Sequence, residues 1–287
     1  MQDLIWFALP ALAALALWLT PRWRLRRALA QPFPAAWSAI LERNLPAYTA
    51  MAADLQAQLR RLVQQFLHQK KFIGCEGQEI DDEVRVTIAA QAALLLLNRH
   101  SKVYPGLHTV LVYPSAFLVP RAQVDGAGVV TPGAQSLLGE SWGDGRVVLS
   151  WDHVPRAGAH VESGQNVVLH EFAHQLDSES GSNNGAPFLG DPAYYQRWST
   201  VLARDFHNLQ LDAMYRQHSV IDHYGATSPA EFFAVATETF FEKPHEMAGR
   251  HPELYEQFLG YYRVDPRQWL AAPAPSEIDL AYAQGWR

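Results

Sequence analysis

His170-Glu171-Phe172-Ala173-His174, HEFAH in one-letter code, is the stretch that decides how this chain is read. Residues four apart stack on one face of a helix, so two imidazoles at this spacing can reach one ion. Glu171 falls beside the place where a metal-bound water would lie, close enough to take its proton during attack on a carbonyl. HExxH therefore predicts a zinc hydrolase. With 12 His and 29 acidic residues in 287 positions, roughly 0.05 chance matches are expected, so the motif is informative without being sufficient. Its surroundings strengthen it. Val167, Val168, Leu169, Phe172, Ala173 and Leu176 embed the histidines in apolar residues, the pattern of a buried amphipathic helix and not of a surface helix with two incidental histidines. Ser163 is the candidate N-cap.

A chain this long, with 48% hydrophobic residues, has enough apolar side chains to bury a substantial core. The net charge of −6 gives no footprint for direct nucleic-acid binding, which shows as a basic excess. One cysteine, Cys75, excludes an intrachain disulfide framework and a cysteine-based zinc site, and a lone thiol fits a reducing compartment.

Leu4 to Leu19 carries no polar side chain and contains Pro10. As a helix it would extend about 24 Å, short of a hydrocarbon core of roughly 30 Å unless Thr20 to Trp23 and local thinning contribute. Arg22, Arg24, Arg26 and Arg27 follow at once, with Trp23 at the interface position. The positive-inside rule then places the rest of the chain in the cytoplasm, as a single-pass inner-membrane protein; a cytoplasmic protein is the alternative. A cleavable signal peptide would carry its basic residues before the apolar run, and this one begins Gln2-Asp3. The expected organisation is an anchor with its basic flank over 1–30, a globular domain over 31–270 and a surface tail over 271–287.

Within the domain, Leu55, Leu59, Leu62, Val63 and Phe66 follow helical spacing, and Asp81-Asp82-Glu83 opens a helix that runs into the apolar stretch Ala89 to Leu97. Leu107 to Tyr113 and Arg146 to Trp151 read as strands. The second lies just before the metal helix, where an edge strand could pair with an extended substrate; an ordinary core strand is the competing reading. Ser178 to Pro187 reads as a polar loop beside the cleft, and helices are expected over Asp191 to Leu209, Ser228 to Lys243, stopped by Pro244, and Pro252 to Tyr262. The fold class is α+β, helix-dominated with a small mixed sheet.

Catalytic zinc takes three protein ligands and leaves one position for water. HExxHxxGxxH fails, because Asp177 stands where that pattern has glycine and Ser180 where it has the third histidine. Glu231 and Glu238, seven residues apart on one helical face, and His223 are the candidates. Glu231 also has a plainer explanation, since Ser228-Pro229-Ala230-Glu231 fits a capping box. Spacing leaves the choice open. Asp177 is either a polar partner for a ligating histidine or a solvent contact at the helix end, and His207, His218 and His245 are expected at the surface.

TVLVYPSAFLV (109–119), SWGDGRVVLSW (141–151), NVVLHEFAHQLDSESGSNNGAPFL (166–189) and YGATSPAEFFAVATETFFEKP (224–244) together resemble the Mlc titration factor A (MtfA) family of bacterial zinc metallopeptidases over about residues 45 to 270. HEFxH and YGxxxxAEFFA are more distantly similar to the catalytic domain of anthrax lethal factor. The resemblance implies a zincin-like metallopeptidase domain of gluzincin type, with one Zn²⁺ held by His170, His174 and Glu231 and with Tyr224 facing the site. It leaves Glu238 as a partner for a ligating histidine, Glu171 as general base and Tyr224 as donor to the oxyanion or leaving group. A peptide or protein substrate is implied. The family takes its name from binding a transcriptional repressor, so a regulatory binding protein with weak or conditional peptidase activity is the alternative, and a hydrolase of non-peptide amides a further one. The apolar segment and arginines before residue 45 depart from the family pattern.

Overall fold

The computed structural model describes residues 20–273 except 100, 125–129, 138, 143–144, 157–164 and 180, and over 117–144 the backbone alone. Asn44 ends helix α1 (Ala35–Asn44) and reaches from there to Thr87, its Nδ2 donating to Oγ1 at 2.8 Å. Leu59, Val63 and Phe66 are fully buried on helix α2 (Ala53–Gln69) at the expected spacing, with Leu55 and Leu62 packed partly against them. Helix α3 (Asp82–Leu94) is capped by Asp81, whose carboxylate accepts from Val84 N at 2.9 Å, and all but its first two residues and Arg85 are buried. Phe66 also packs against Phe72 at the margin of a small sheet, with ring centroids 6.1 Å apart.

Strands β1 (Lys71–Gly74) and β2 (Thr109–Tyr113) pair in parallel from Lys71↔Thr109. β3 (Phe117–Val124) and β4 (Val130–Leu137) form a separate antiparallel hairpin, while β5 (Gly139–Trp142) runs antiparallel to β6 (Arg146–Ser150). The order β1-β2-β6-β5 makes a four-stranded mixed sheet. β6 is therefore interior, paired with β2 on one side and β5 on the other, so that of the two readings of residues 146–151 the core strand is the one found, and the edge belongs to β5. Val147, Val148 and Leu149 are buried in succession, the signature of a strand covered on both faces. β1 and the strands between 117 and 142 escaped the sequence reading, being short or lacking clear alternation.

Helix α4 (Val167–Ser178) carries HEFAH and starts at Asn166, whose side-chain oxygen accepts from Val168 N and Leu169 N, both at 3.1 Å. Ser163, the expected cap, lies outside the described residues. Phe172 anchors α4 in the core against Tyr104, with ring centroids 4.7 Å apart, and Phe66, at 5.6 Å. Helix α5 (Pro192–Tyr215) runs six residues beyond the expected end and stops at Arg216 in the left-handed region. Helix α6 (Pro229–Glu242) is followed by α7 (Pro244–Arg250) and α8 (Pro252–Tyr262); Pro244 both stops one helix and opens the next, since its missing N–H is no loss in a first turn. Trp198, Phe233, Phe240, Phe258 and Tyr262 pack these helices together through stacked, tilted and edge contacts. Among the described residues no helix is long and apolar enough to cross a membrane. The apolar segment 4–19 and the tail beyond 273 lie outside them.

Candidate metal centre

α4 and α6 lie against each other in opposite directions: Glu231 meets His174 and His170, Glu238 meets His170 and Asn166, and Glu242 meets Asn166. The acidic side chains at 231, 238 and 242 share one face of α6, as the polar groups at 166, 170 and 174 share one face of α4. Ser228 caps α6, its Oγ accepting from Glu231 N at 3.2 Å. The cap expected from the sequence thus exists, yet the Glu231 carboxylate is directed at the histidines.

His170 Nε2 lies 3.0 Å from Glu231 Oε2 and 3.2 Å from His174 Nε2, and His174 Nε2 lies 3.4 Å from the same carboxylate oxygen. Among the described residues these three form the cluster of ligand atoms able to hold a metal ion. A tetrahedral ion with bonds of about 2.0–2.1 Å separates its ligands by about 3.3–3.4 Å, so the three donors stand at nearly the spacing zinc requires. Their polarity agrees. Glu238 Oε1 lies 2.7 Å from His170 Nδ1, and because a carboxylate accepts, Nδ1 carries the proton. In a neutral imidazole that leaves Nε2 as a lone pair facing another imidazole nitrogen and a carboxylate oxygen, an arrangement that asks for a cation or a proton at its centre. Neither Glu238 nor His223 belongs to the cluster.

Burial disfavours charge on His170, but hydrogen bonds to Glu231 and Glu238 outweigh it and hold the imidazole's pKa well above its ordinary value. Burial likewise raises Glu231, and its contacts with the two histidines overcome that and pull the carboxyl far below the usual range. Glu171 differs: it is buried, its burial raises the pKa to about 7, and the nearby histidines only partly counter that. Among the described residues its Oε2 meets no hydrogen-bond partner.

Tyr224 lies in a short 3₁₀ turn (His223–Ala226) opened by Asp222, whose carboxylate accepts from Tyr224 N. Its ring centroid is 6.0 Å from that of His170, and 51% of the residue is exposed, so it is no buried core tyrosine. Asp177 is fully buried, which rules out the solvent contact among its two readings, and it accepts from Gly185 N at 2.8 Å, a tie to the loop after α4. His207, His218 and His223 are exposed, whereas His245 is half-buried and donates Nε2–H to Leu270 O at 2.9 Å. Sequence reasoning missed Asn166 and Gly185. An Asn directly before the apolar run of α4 was the available signal for the first.

A helix-dominated α+β domain in which antiparallel helices bring HExxH and a distant glutamate to one point places the chain in the class of domains with a candidate metal site. The chain belongs to the family of glucose-regulated metallo-peptidases M90, whose sequence profile matches residues 20–263. It is 42% identical over 245 residues to the uncharacterized protein slr2042 of Synechocystis sp., covering 85% of this chain and 89% of the relative. Mlc titration factor A of Salmonella typhi is 35% identical over 235 residues (80% and 87%), and that of Enterobacter sp. 34% over 229 residues (79% and 85%).

Proposed function

We propose that this protein is a zinc-dependent peptidase in which His170, His174 and Glu231 hold the ion and Glu171 is the general base. The observation that carries this is the convergence of two Nε2 atoms and one carboxylate oxygen beside a buried carboxyl whose pKa is raised to about 7. Zinc bound there supplies a Lewis acid that polarises the scissile carbonyl and acidifies the attacking water. Glu171, poised near neutrality, takes the proton from that water and returns it to the leaving amine. The Tyr224 hydroxyl donates to the oxyanion as it develops. β5, the edge strand of the sheet among the described residues and packed beside α4, offers its outer side to an extended peptide backbone. A cavity of about 480 Å³ follows the Glu171 face of α4 one turn onward, between Gln175, Ser178, Tyr104 and Phe188, and accepts a substrate side chain. Residues 1–30 anchor the chain in the inner membrane with the 31–270 domain on the cytoplasmic side, their apolar run and arginines being the support.

Glu171→Gln tests the mechanism, since it leaves the metal ligands in place and removes the base. Peptide cleavage should fall by several orders of magnitude with zinc content unchanged; an unchanged rate sinks the mechanism. A second reading, a binding protein that sequesters a transcriptional repressor, draws on the relatives named Mlc titration factor A. It predicts that Glu171→Gln retains repressor binding and its effect on the repressor.

A further inference from the structure

Asn166 makes more connections than a helix cap needs. Its side-chain oxygen accepts the N–H groups of Val168 and Leu169, its main-chain N–H donates to Glu238 Oε2 at 2.5 Å, and its Nδ2 donates to Glu242 Oε1 at 2.8 Å. The residue is 4% exposed, and Glu238, which it holds, grips His170 Nδ1 through its other oxygen. One residue thereby starts the helix carrying both histidines, ties that start to the helix carrying Glu231, and fixes the carboxylate that sets the His170 tautomer.

We propose that Asn166 is the positioning residue of the metal centre. It sets the distance between α4 and α6, and so between the two imidazoles and the Glu231 carboxylate, without touching the ion or a substrate. The argument rests on the metal reading above, and it locates the control of that site four residues before its first ligand. A cap alone requires only an acceptor: serine or aspartate would serve equally. The geometry here also requires a donor at Nδ2, because the atom it meets is a carboxylate oxygen. That requirement separates asparagine from aspartate, which replaces the donor with a second, negatively charged acceptor oxygen.

The test uses the whole chain, measuring zinc affinity by competition with a chromophoric chelator, the visible spectrum of the Co²⁺-loaded protein, and the melting temperature without metal. Asn166→Asp keeps the cap but sets two carboxylates face to face. It should weaken zinc binding about 10- to 100-fold, the range for lost outer partners of metal ligands, and alter the Co²⁺ bands. Adding Glu242→Gln reverses donor and acceptor across the same contact and should restore affinity and spectrum to near those of the parent. Zinc affinity in Asn166→Asp equal to the parent, or a loss that the double variant leaves uncorrected, overturns the proposal while leaving the ligand set intact. A parent protein that binds no zinc overturns both together.

Discussion

Glu231 and Glu238 are equivalent to a periodicity argument, because seven residues return a helix to the same face. What separates them is which end of α4 each one meets, a consequence of the antiparallel pairing of two helices that no spacing within one helix reveals. Glu231 touches the Nε2 atoms of both histidines, and Glu238 touches the far nitrogen of one. Glu231→Ala should therefore abolish stoichiometric zinc binding, whereas Glu238→Ala should retain zinc with affinity reduced about 10- to 100-fold; metal analysis of the purified variants reads both. Full occupancy in Glu231→Ala would show that Glu231 is not a ligand. In the proposed mechanism Tyr224 acts on charge that develops during reaction, so Tyr224→Phe should lower kcat by about 10²-fold with little change in KM.

Beside their apolar packing, elements in this fold are joined by a few polar atoms at close approach, and the loop after α4 is the clearest case. Gly185 N donates to Asp177 of α4, its carbonyl accepts from Trp198 Nε1 of α5 at 2.9 Å, and a Cβ placed on it would come within 2.4 Å of Pro229 O in the first turn of α6. Its φ of +77° lies in the left-handed region, so glycine is demanded by both backbone and space. Gly185→Ala should destabilise the protein by about 2 kcal/mol or more, measured by denaturant unfolding. Asn-Gly in a polar stretch marks a turn in any sequence; that this turn joins three helices is a tertiary fact. The long helices were legible because their apolar spacing is sustained, as at Leu59, Val63 and Phe66, and because Pro192, Pro229 and Pro252 open them. β1 was not, since its four residues are mostly exposed and its place is fixed by pairing with β2. The HEFAH pair was legible for a complementary reason, both histidines lying on one turn of one helix.

For the whole chain, the proposed anchor and the metal centre make separable demands. Removing residues 1–30 should move the protein from the membrane to the soluble fraction while zinc content is unchanged; a full-length chain that remains soluble refutes the anchor. The ion, by contrast, should bear on the stability of the folded domain, because its ligands come from two helices that share one core. An ion present at about 1,000 times its Kd adds about 4 kcal/mol, which for a domain of this size raises the melting temperature by roughly 10 °C. On the proposed metal reading, proton and ion compete for the same centre. Without metal, hydrogen bonds to Glu231 and Glu238 hold the His170 pKa well above its ordinary value against burial, so the folded state takes up a proton that the unfolded chain releases near pH 6.5. That stabilisation is complete below the unfolded pKa and is lost as pH rises through the folded one. Metal binding runs the other way, because Nε2 must be deprotonated to bind. Melting curves with zinc and with chelator should therefore lie close together at pH 5 and separate by about 10 °C at pH 8, and a gap that stays constant or narrows as pH rises would show that His170 is not at the shared centre.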